Sequence, residues 1–413
     1  MKLRFSMTGL ATIAIVAGAC SGSATAVPSA AAGASAAAGA SAAAGASAGA
    51  GASAGAGASA GAGASAGAGA GGGIALLLPS VDAARYEAAD RPDFEAKIKA
   101  LCPTVAYAYN NAAGSAPTQQ QQAEAAITNG AKVLVLDAQD GDAAGTIVTA
   151  AAAKGIKVIS YDRLIKGGSS PDYYISFDNE KVGQLQGTAL LAKLTADGKT
   201  SAKVVWINGS PKDNNASLFK KGAHSVLDGK VTIVKEDAMA NWKPEEAQQI
   251  MEAAITSLGK DGFDAVYSAN DGGAGGAYAA MKSNGVDVTT KPMTGQDAEL
   301  AAVQRILLGQ QYMDVYKQIK PEAEAAATLA CALATGTTPD AALVNSKVNN
   351  GTIDVPSVLL TPIAITADGS NGTKSIQDSV VADQFYGATS VASICDAKVD
   401  AGLPAACTKF GVK

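Results

Sequence analysis

From Ile74 onward, short unbroken apolar runs alternate with longer helical stretches, and this alternation narrows the choice of fold sharply. A strand covered on one face alternates apolar and polar residues. A strand covered by helices on both faces reads as one apolar run, and Ile74–Leu78 and Lys132–Leu136 are of this second kind. Further strands are predicted at Thr104–Tyr109, Lys157–Tyr161, Tyr173–Phe177, Lys203–Ile207, Val231–Lys235, Ala265–Ser268, Lys291–Gly295 and Met313–Tyr316. Helices are predicted between them, among them Phe94–Leu101, Pro117–Asn129, Glu180–Ala196, Asn214–Leu227, Pro244–Leu258 and Ala274–Asn284, with a long one at Ile319–Ala334. Strand–helix alternation of this length predicts an α/β fold with doubly wound parallel sheets. The stretch from Ile74 to Lys413 is long enough for two such lobes, each with its own core.

The segment before Ile74 cannot supply core. Met1–Arg4 is cationic, and Met7–Ala17 is apolar but too short to anchor stably across a bilayer. It ends in Ala17-Gly18-Ala19-Cys20, which resembles a bacterial lipoprotein signal. Residues 1–20 are therefore expected to be a signal peptide ending at a lipidated Cys20. An ordinary secretory signal cut near Ala19 or Ala26 is the alternative. Ser21–Gly73 is almost wholly Ala, Gly and Ser, with no side chain that builds a core. It is expected to be a disordered tether spanning roughly 40 Å on average. Silk-like stacking is the competing reading, but it needs many long copies.

Net charge is −5 with no basic cluster, which argues against a nucleic-acid partner. No later apolar run is long enough to cross a membrane. Cys102, Cys331, Cys395 and Cys407 form an even set in an exported chain. The short loop between Cys395 and Cys407 favours that pair. Cys102 and Cys331 stay open between a disulfide and two buried thiols.

In open parallel sheets, ligands bind beyond the carboxyl ends of the strands. Polar residues just past the predicted strands are Arg85 and Tyr86, Asp162 and Arg163, Asp213 and Asn215, Asn270 and Asp271, Asp297, and Lys317. Trp242 stands in the loop before the Pro244–Leu258 helix. Carboxylate, amide and guanidinium groups each engage vicinal hydroxyls, and an aromatic face covers the C–H face of a sugar ring. A buried sugar hydroxyl both donates and accepts, so its site needs both kinds of partner. Taken singly, an Asp or Asn here also reads as a helix cap or turn residue. Recurrence at one topological position in both halves favours a binding site. Val158–Gly187 condenses the pattern: a strand ending in Tyr161-Asp162-Arg163, a second strand, then a helix.

Catalytic readings fare poorly. His224 is the only histidine, so neither a His-based metal site nor a His-assisted nucleophile can be built. Gly272-Gly273-Ala274-Gly275-Gly276 lacks the Lys and hydroxyl of a phosphate-binding loop. Small residues that allow close packing explain it better. A carboxylate pair for glycoside hydrolysis is disfavoured, because the acids come with Lys and Arg that hold them ionised.

These residues resemble those of the periplasmic sugar-binding proteins of ABC importers. The resemblance spans Ile74–Ile365 and rests on Tyr161-Asp162-Arg163, Tyr174–Gly183, Gly209–Ala216, Ser268–Asp271, Gly295–Ala298, Val315–Lys317 and Asp354–Ile363. It implies sugar hydrogen bonding by Arg85, Asp162, Arg163, Asp213, Asn215, Asn270, Asp297 and Lys317, and stacking by Trp242. Tyr86 stands where xylose-binding members carry Trp, and the spacing around Arg85 differs by one residue. The family fold implies two lobes joined by a three-strand hinge, crossing near Phe177, Lys317 and Pro356. Lobe 1 would then be 74–176 with 318–354, and lobe 2 would be 177–317 with 355–413. The resemblance also implies a monomeric, extracytoplasmic receptor without cofactor or catalytic activity. Its partners would be a monosaccharide, D-xylose or a related aldose, and an ABC permease in the membrane. Membrane contact would come through the lipid anchor only. A sugar sensor feeding a membrane receptor and a sugar-modifying enzyme are the alternatives.

Overall fold

The computed structural model describes residues 73–379 and 391–413. The predicted signal, Cys20 and the tether up to residue 72 lie outside these residues. The first lobe begins with β1 (Ile74–Leu78), β2 (Tyr107–Asn111), β3 (Val133–Leu136), β4 (Lys157–Tyr161) and β5 (Tyr173–Phe177). The second lobe contributes β6 (Lys203–Asn208), β7 (Thr232–Ala238), β8 (Ala265–Ser268) and β9 (Met313–Tyr316). The chain then adds β10 (Ser346–Asn349), β11 (Asp354–Leu360), β12 (Ile363–Thr366) and β13 (Lys374–Ser375).

The apolar runs do what two-faced burial requires. Ile74, Leu76 and Leu78 pack with Val133, Val135 and the Ala-rich Ile319–Thr335 helix on one side. Ala75 and Leu77 pack with Leu134, Leu136, Val158 and Val148 on the other. Each fully buried aliphatic side chain of this kind contributes about 1.5–3 kcal/mol. In the second lobe Val205, Ile207 and Val266 face Met251 and Met281, while Val204, Trp206 and Tyr267 face Leu190 and Leu227.

The first sheet has seven strands in the order β10-β11-β5-β4-β3-β1-β2, parallel except for β10. The second lobe holds β7-β6-β8, all parallel, and a separate β13-β12-β9 set in which β12 and β9 run antiparallel. The strand expected at Lys291–Gly295 does not form; only Met293 bridges to Val266. Thr294 explains part of this, since its hydroxyl exchanges bonds with the Ser268 backbone in place of a regular ladder. The expected boundary at 354/355 also shifts. Ser357–Leu360 pairs in register with Tyr174–Phe177, so β11 stays in the first sheet along its whole length. The third passage between sheets is therefore Thr361-Pro362, not Pro356. Phe177 likewise belongs to the first sheet, which puts the first passage at Asp178.

The Gly-rich run lies inside the Asp271–Ser283 helix, three residues earlier than its expected start. A Cβ on Gly276 would come within 2.0 Å of the Pro244 carbonyl, so Gly is needed where this helix meets its neighbour. Both cysteine pairs form disulfides, Cys102–Cys331 and Cys395–Cys407. The first joins the Arg91–Leu101 helix to the Ile319–Thr335 helix.

Candidate functional site

The carboxyl ends of the first-lobe strands face those of β6, β8 and β9 across a cleft. Its cavity holds about 420 Å³ of atom-free space, open mouth included. All ten side chains predicted for the site line it: Arg85, Tyr86, Asp162, Arg163, Asp213, Asn215, Trp242, Asn270, Asp297 and Lys317. Ser80, Ala83, Phe219 and Gln296 line it too and were missed. Ser80 follows β1 directly, and Gln296 precedes Asp297, so the strand-end rule could have found both. Phe219 gives no such signal, since it sits mid-helix. Asp271 turns away from the cavity; its carboxylate accepts from Gln311 Nε2 at 3.0 Å and from the Glu299 amide at 2.8 Å.

The first-lobe wall is anchored from behind. Arg85 opens the turn after β1, and its guanidinium takes Asp90 in a fork at 2.7 and 2.9 Å. It also bonds Glu322 at 2.8 Å and reaches Asp162 at 3.3 Å. The Tyr161 hydroxyl donates to Asp90 as well. All these groups are buried. Burial disfavours charge on Arg85, but Asp162, Asp90 and Glu322 outweigh it and raise its pKa further. Burial also opposes ionisation of Asp162, yet Arg85 and Lys317 hold that carboxyl below its ordinary value. Glu322 goes the other way: burial and the Asp162 charge push it well up, against the pull of Arg85 and Lys317.

Arg163 follows Asp162, whose φ of 53° lies in the left-handed region. Asp tolerates that conformation better than most residues. The Arg163 guanidinium donates to the Ala138 carbonyl at 3.1 Å and to the Tyr86 hydroxyl at 3.0 Å. Its Nε stands 3.1 Å from Asp213 on the opposite lobe.

On the second lobe, helix ends hold the polar groups. Asp213 caps the Asn214–Leu227 helix through the Asn215 amide at 2.8 Å, and its other oxygen accepts from Trp242 Nε1 at 3.2 Å. Asn270 caps the Asp271–Ser283 helix through the Gly273 amide at 2.9 Å. Trp242 has a φ of 63°. A large residue seldom adopts that conformation, and such strain clusters at functional sites. A Cβ on Gly209 would fall 1.9 Å from the indole, so Gly alone lets this ring lie on the β6 turn. Asp297 also has positive φ, at 96°.

Side chains at the cavity also link the lobes beyond Arg163–Asp213. Asn215 Nδ2 donates to the Asp162 carbonyl at 2.9 Å. Lys317 stands 3.6 Å from Asp162 and 3.5 Å from Asp297, above the rings of Phe177 and Phe219. The cavity thus offers carboxylates, guanidinium and ammonium donors, two-way amides and an aromatic face in one small space. Among the described residues no group of His, Cys, Asp and Glu is placed to hold a metal.

Two α/β lobes that present convergent polar groups to a closed cleft define a solute-binding protein of the type I fold. The chain belongs to the periplasmic binding protein family, whose domain matches residues 74–338. This is a family of solute-binding proteins, not enzymes. The D-xylose-binding periplasmic protein of Escherichia coli is 39% identical over 302 residues, covering 72% of this chain and 86% of that protein. A multiple sugar-binding periplasmic receptor of Rhizobium radiobacter is 36% identical over 266 residues, covering 60% of this chain and 75% of its own. Among solved structures, an ABC transporter solute-binding protein of Clostridium phytofermentans with bound β-D-glucose superposes with a TM-score of 0.67 at 30% identity. That match covers 76% of this chain and 98% of the other.

Proposed function

We propose that this protein captures a monosaccharide, D-xylose or a related aldose, between its lobes and delivers it to an ABC importer. One observation carries the reading: thirteen polar and aromatic side chains from both lobes converge on one cavity with donors and acceptors interleaved. Asp162 and Asp297 accept from sugar hydroxyls, Arg85, Arg163 and Lys317 donate, and Asn215 and Asn270 do both. Trp242 covers a C–H face of the ring. The sugar touches both walls, so its binding energy favours the closed arrangement over the open one. The D-xylose preference is supported by the relatives named for that sugar. The glucose-bound neighbour and Tyr86, smaller than Trp, keep a wider set of aldoses in play. Lipidation of Cys20 and the following tether would hold the receptor near its permease and raise their effective concentration.

Calorimetric titration with D-xylose, D-ribose, L-arabinose, D-glucose and D-galactose tests the reading. Micromolar or tighter binding of at least one is expected, and binding of none sinks the assignment. Asp297→Ala should abolish that binding while the circular dichroism spectrum is kept. Normal affinity in this variant would mean the site lies elsewhere.

A further inference from the structure

One carboxyl group beside the cavity has no part in the roles above. Asp137 follows β3, is 0% exposed, and neither of its oxygens accepts a hydrogen bond among the described residues. The nearest charge is Arg163, whose Nε stands 3.4 Å from Asp137 Oδ1. That same Nε stands 3.1 Å from Asp213 Oδ2. Asp137 and Arg163 share the first lobe, whereas Asp213 belongs to the second. That N–H hydrogen-bonds to neither acid here, so both hold it by charge, Asp213 from the shorter distance. The lobes also touch here, where the Gly141 amide donates to the Lys212 carbonyl at 3.0 Å. The loop after β6 thereby covers the loop after β3.

Building on sugar capture by lobe closure, we propose that Arg163 exchanges counter-ions as the lobes move. Asp137 pairs with it when they part, and Asp213 takes it over when they close. Asp137 is a positioning residue that acts through Arg163 and, through the Arg163–Tyr86 bond, on the wall of the cavity.

Closure leaves Asp137 short of a partner in a dry place. Burial there pushes its carboxyl well above its ordinary value. Arg163 and Arg85 oppose that rise, while Asp162 and Asp213 add to it. The Tyr86 hydroxyl faces the same cluster. Opening hydrates the carboxyl and leaves Arg163 to it alone, so it ionises. Sugar capture is therefore coupled to proton uptake. The closed form binds more protons, so affinity falls as pH rises, by up to about tenfold per pH unit between the open and closed pKa values. Glu299 at the cleft contributes separately. Burial, with Asp271 and Asp297, pushes it to about 8, and its carboxyl meets the Ala84 amide of the first lobe.

The test uses the tightest-binding of the five sugars above, titrated in buffers of different ionisation enthalpy to count the protons taken up. The wild-type chain, Asp137→Asn, Glu299→Gln and the double variant are compared. Asp137→Asn should take up fewer protons than wild type, and its advantage in affinity over wild type should be at least about tenfold larger at pH 8 than at pH 5. The double variant should lose most of the remaining uptake. Unchanged uptake in Asp137→Asn, or a loss of affinity equal at every pH, overturns the exchange while leaving sugar capture intact. Failure of every sugar to bind wild type removes the capture reading itself. If Asp137→Asn does not fold, Asp213→Asn supplies the converse test. Arg163 then stays with Asp137 in both states, so affinity should drop and its pH slope should fall to the part that Glu299 contributes. A slope as steep as that of wild type overturns the inference.

Discussion

The two walls of the cavity hold their polar groups in different ways. On the first lobe, Arg85 is fixed by other side chains, one of them Glu322, 237 residues away in sequence. On the second, Asp213 and Asn270 are fixed by amides of the next helical turn, two and three residues on. The first wall is a buried ion network assembled by tertiary packing. The second is a set of helix caps assembled locally. Removing a charge from the first strands its partners in a dry interior. Removing the Asn270 side chain from the second exposes one amide and little else.

That contrast can be broken by mutation. Arg85→Met leaves Asp90, Asp162 and Glu322 without their shared cation, and stability in urea should fall by about 3–5 kcal/mol. A loss below about 1 kcal/mol would make the two walls equivalent. Asn270→Ala removes one cap, and the same measurement should show a loss of about 1 kcal/mol. Sugar affinity should fall far more than stability does. Glu299 sharpens the contrast, because it is a second-lobe acid that reaches first-lobe backbone. Its folded pKa of about 8 exceeds the ordinary 4.5, so the folded state holds the extra proton. Its contribution to stability is therefore largest at low pH and is lost as pH rises from about 4.5 to about 8. Glu299→Gln should flatten that part of the melting-temperature profile. An unchanged profile would assign the pH dependence to other groups.

The same contrast explains what was legible in the sequence. Polar residues of the second wall lie just past the strands they follow, so Asp213, Asn215, Asn270 and Asp297 could be found from local order alone. β1 and β3 were equally plain, because strands buried on both faces carry no polar residues. Asp90 and Glu322 were not found. Each sits in a helical stretch where an acid usually faces water, and only the approach of a distant segment buries it. Asp137 was missed although it follows a strand, because it lies behind the cavity wall. The antiparallel β10 and β12 were missed as well. β10 is half-exposed and polar, and β12 is only four residues long. The third crossing was expected near Pro356, yet that residue sits within β11 opposite Lys347 of the edge strand β10. A proline is tolerated beside an edge more readily than in a sheet centre.

The place of β11 has a consequence for biosynthesis. β5 borders β4 on one side and β11 on the other. A chain emerging N-terminus first can pair β1 to β5 early. It must then wait through the whole second lobe before Asp354–Leu360 arrives. During that interval the outer edge of β5 offers unpaired amides and carbonyls to any other strand. The newborn receptor is thus most vulnerable to aggregation after its first sheet has started and before its last quarter has been made. A holding factor during synthesis or export would be most useful in that window.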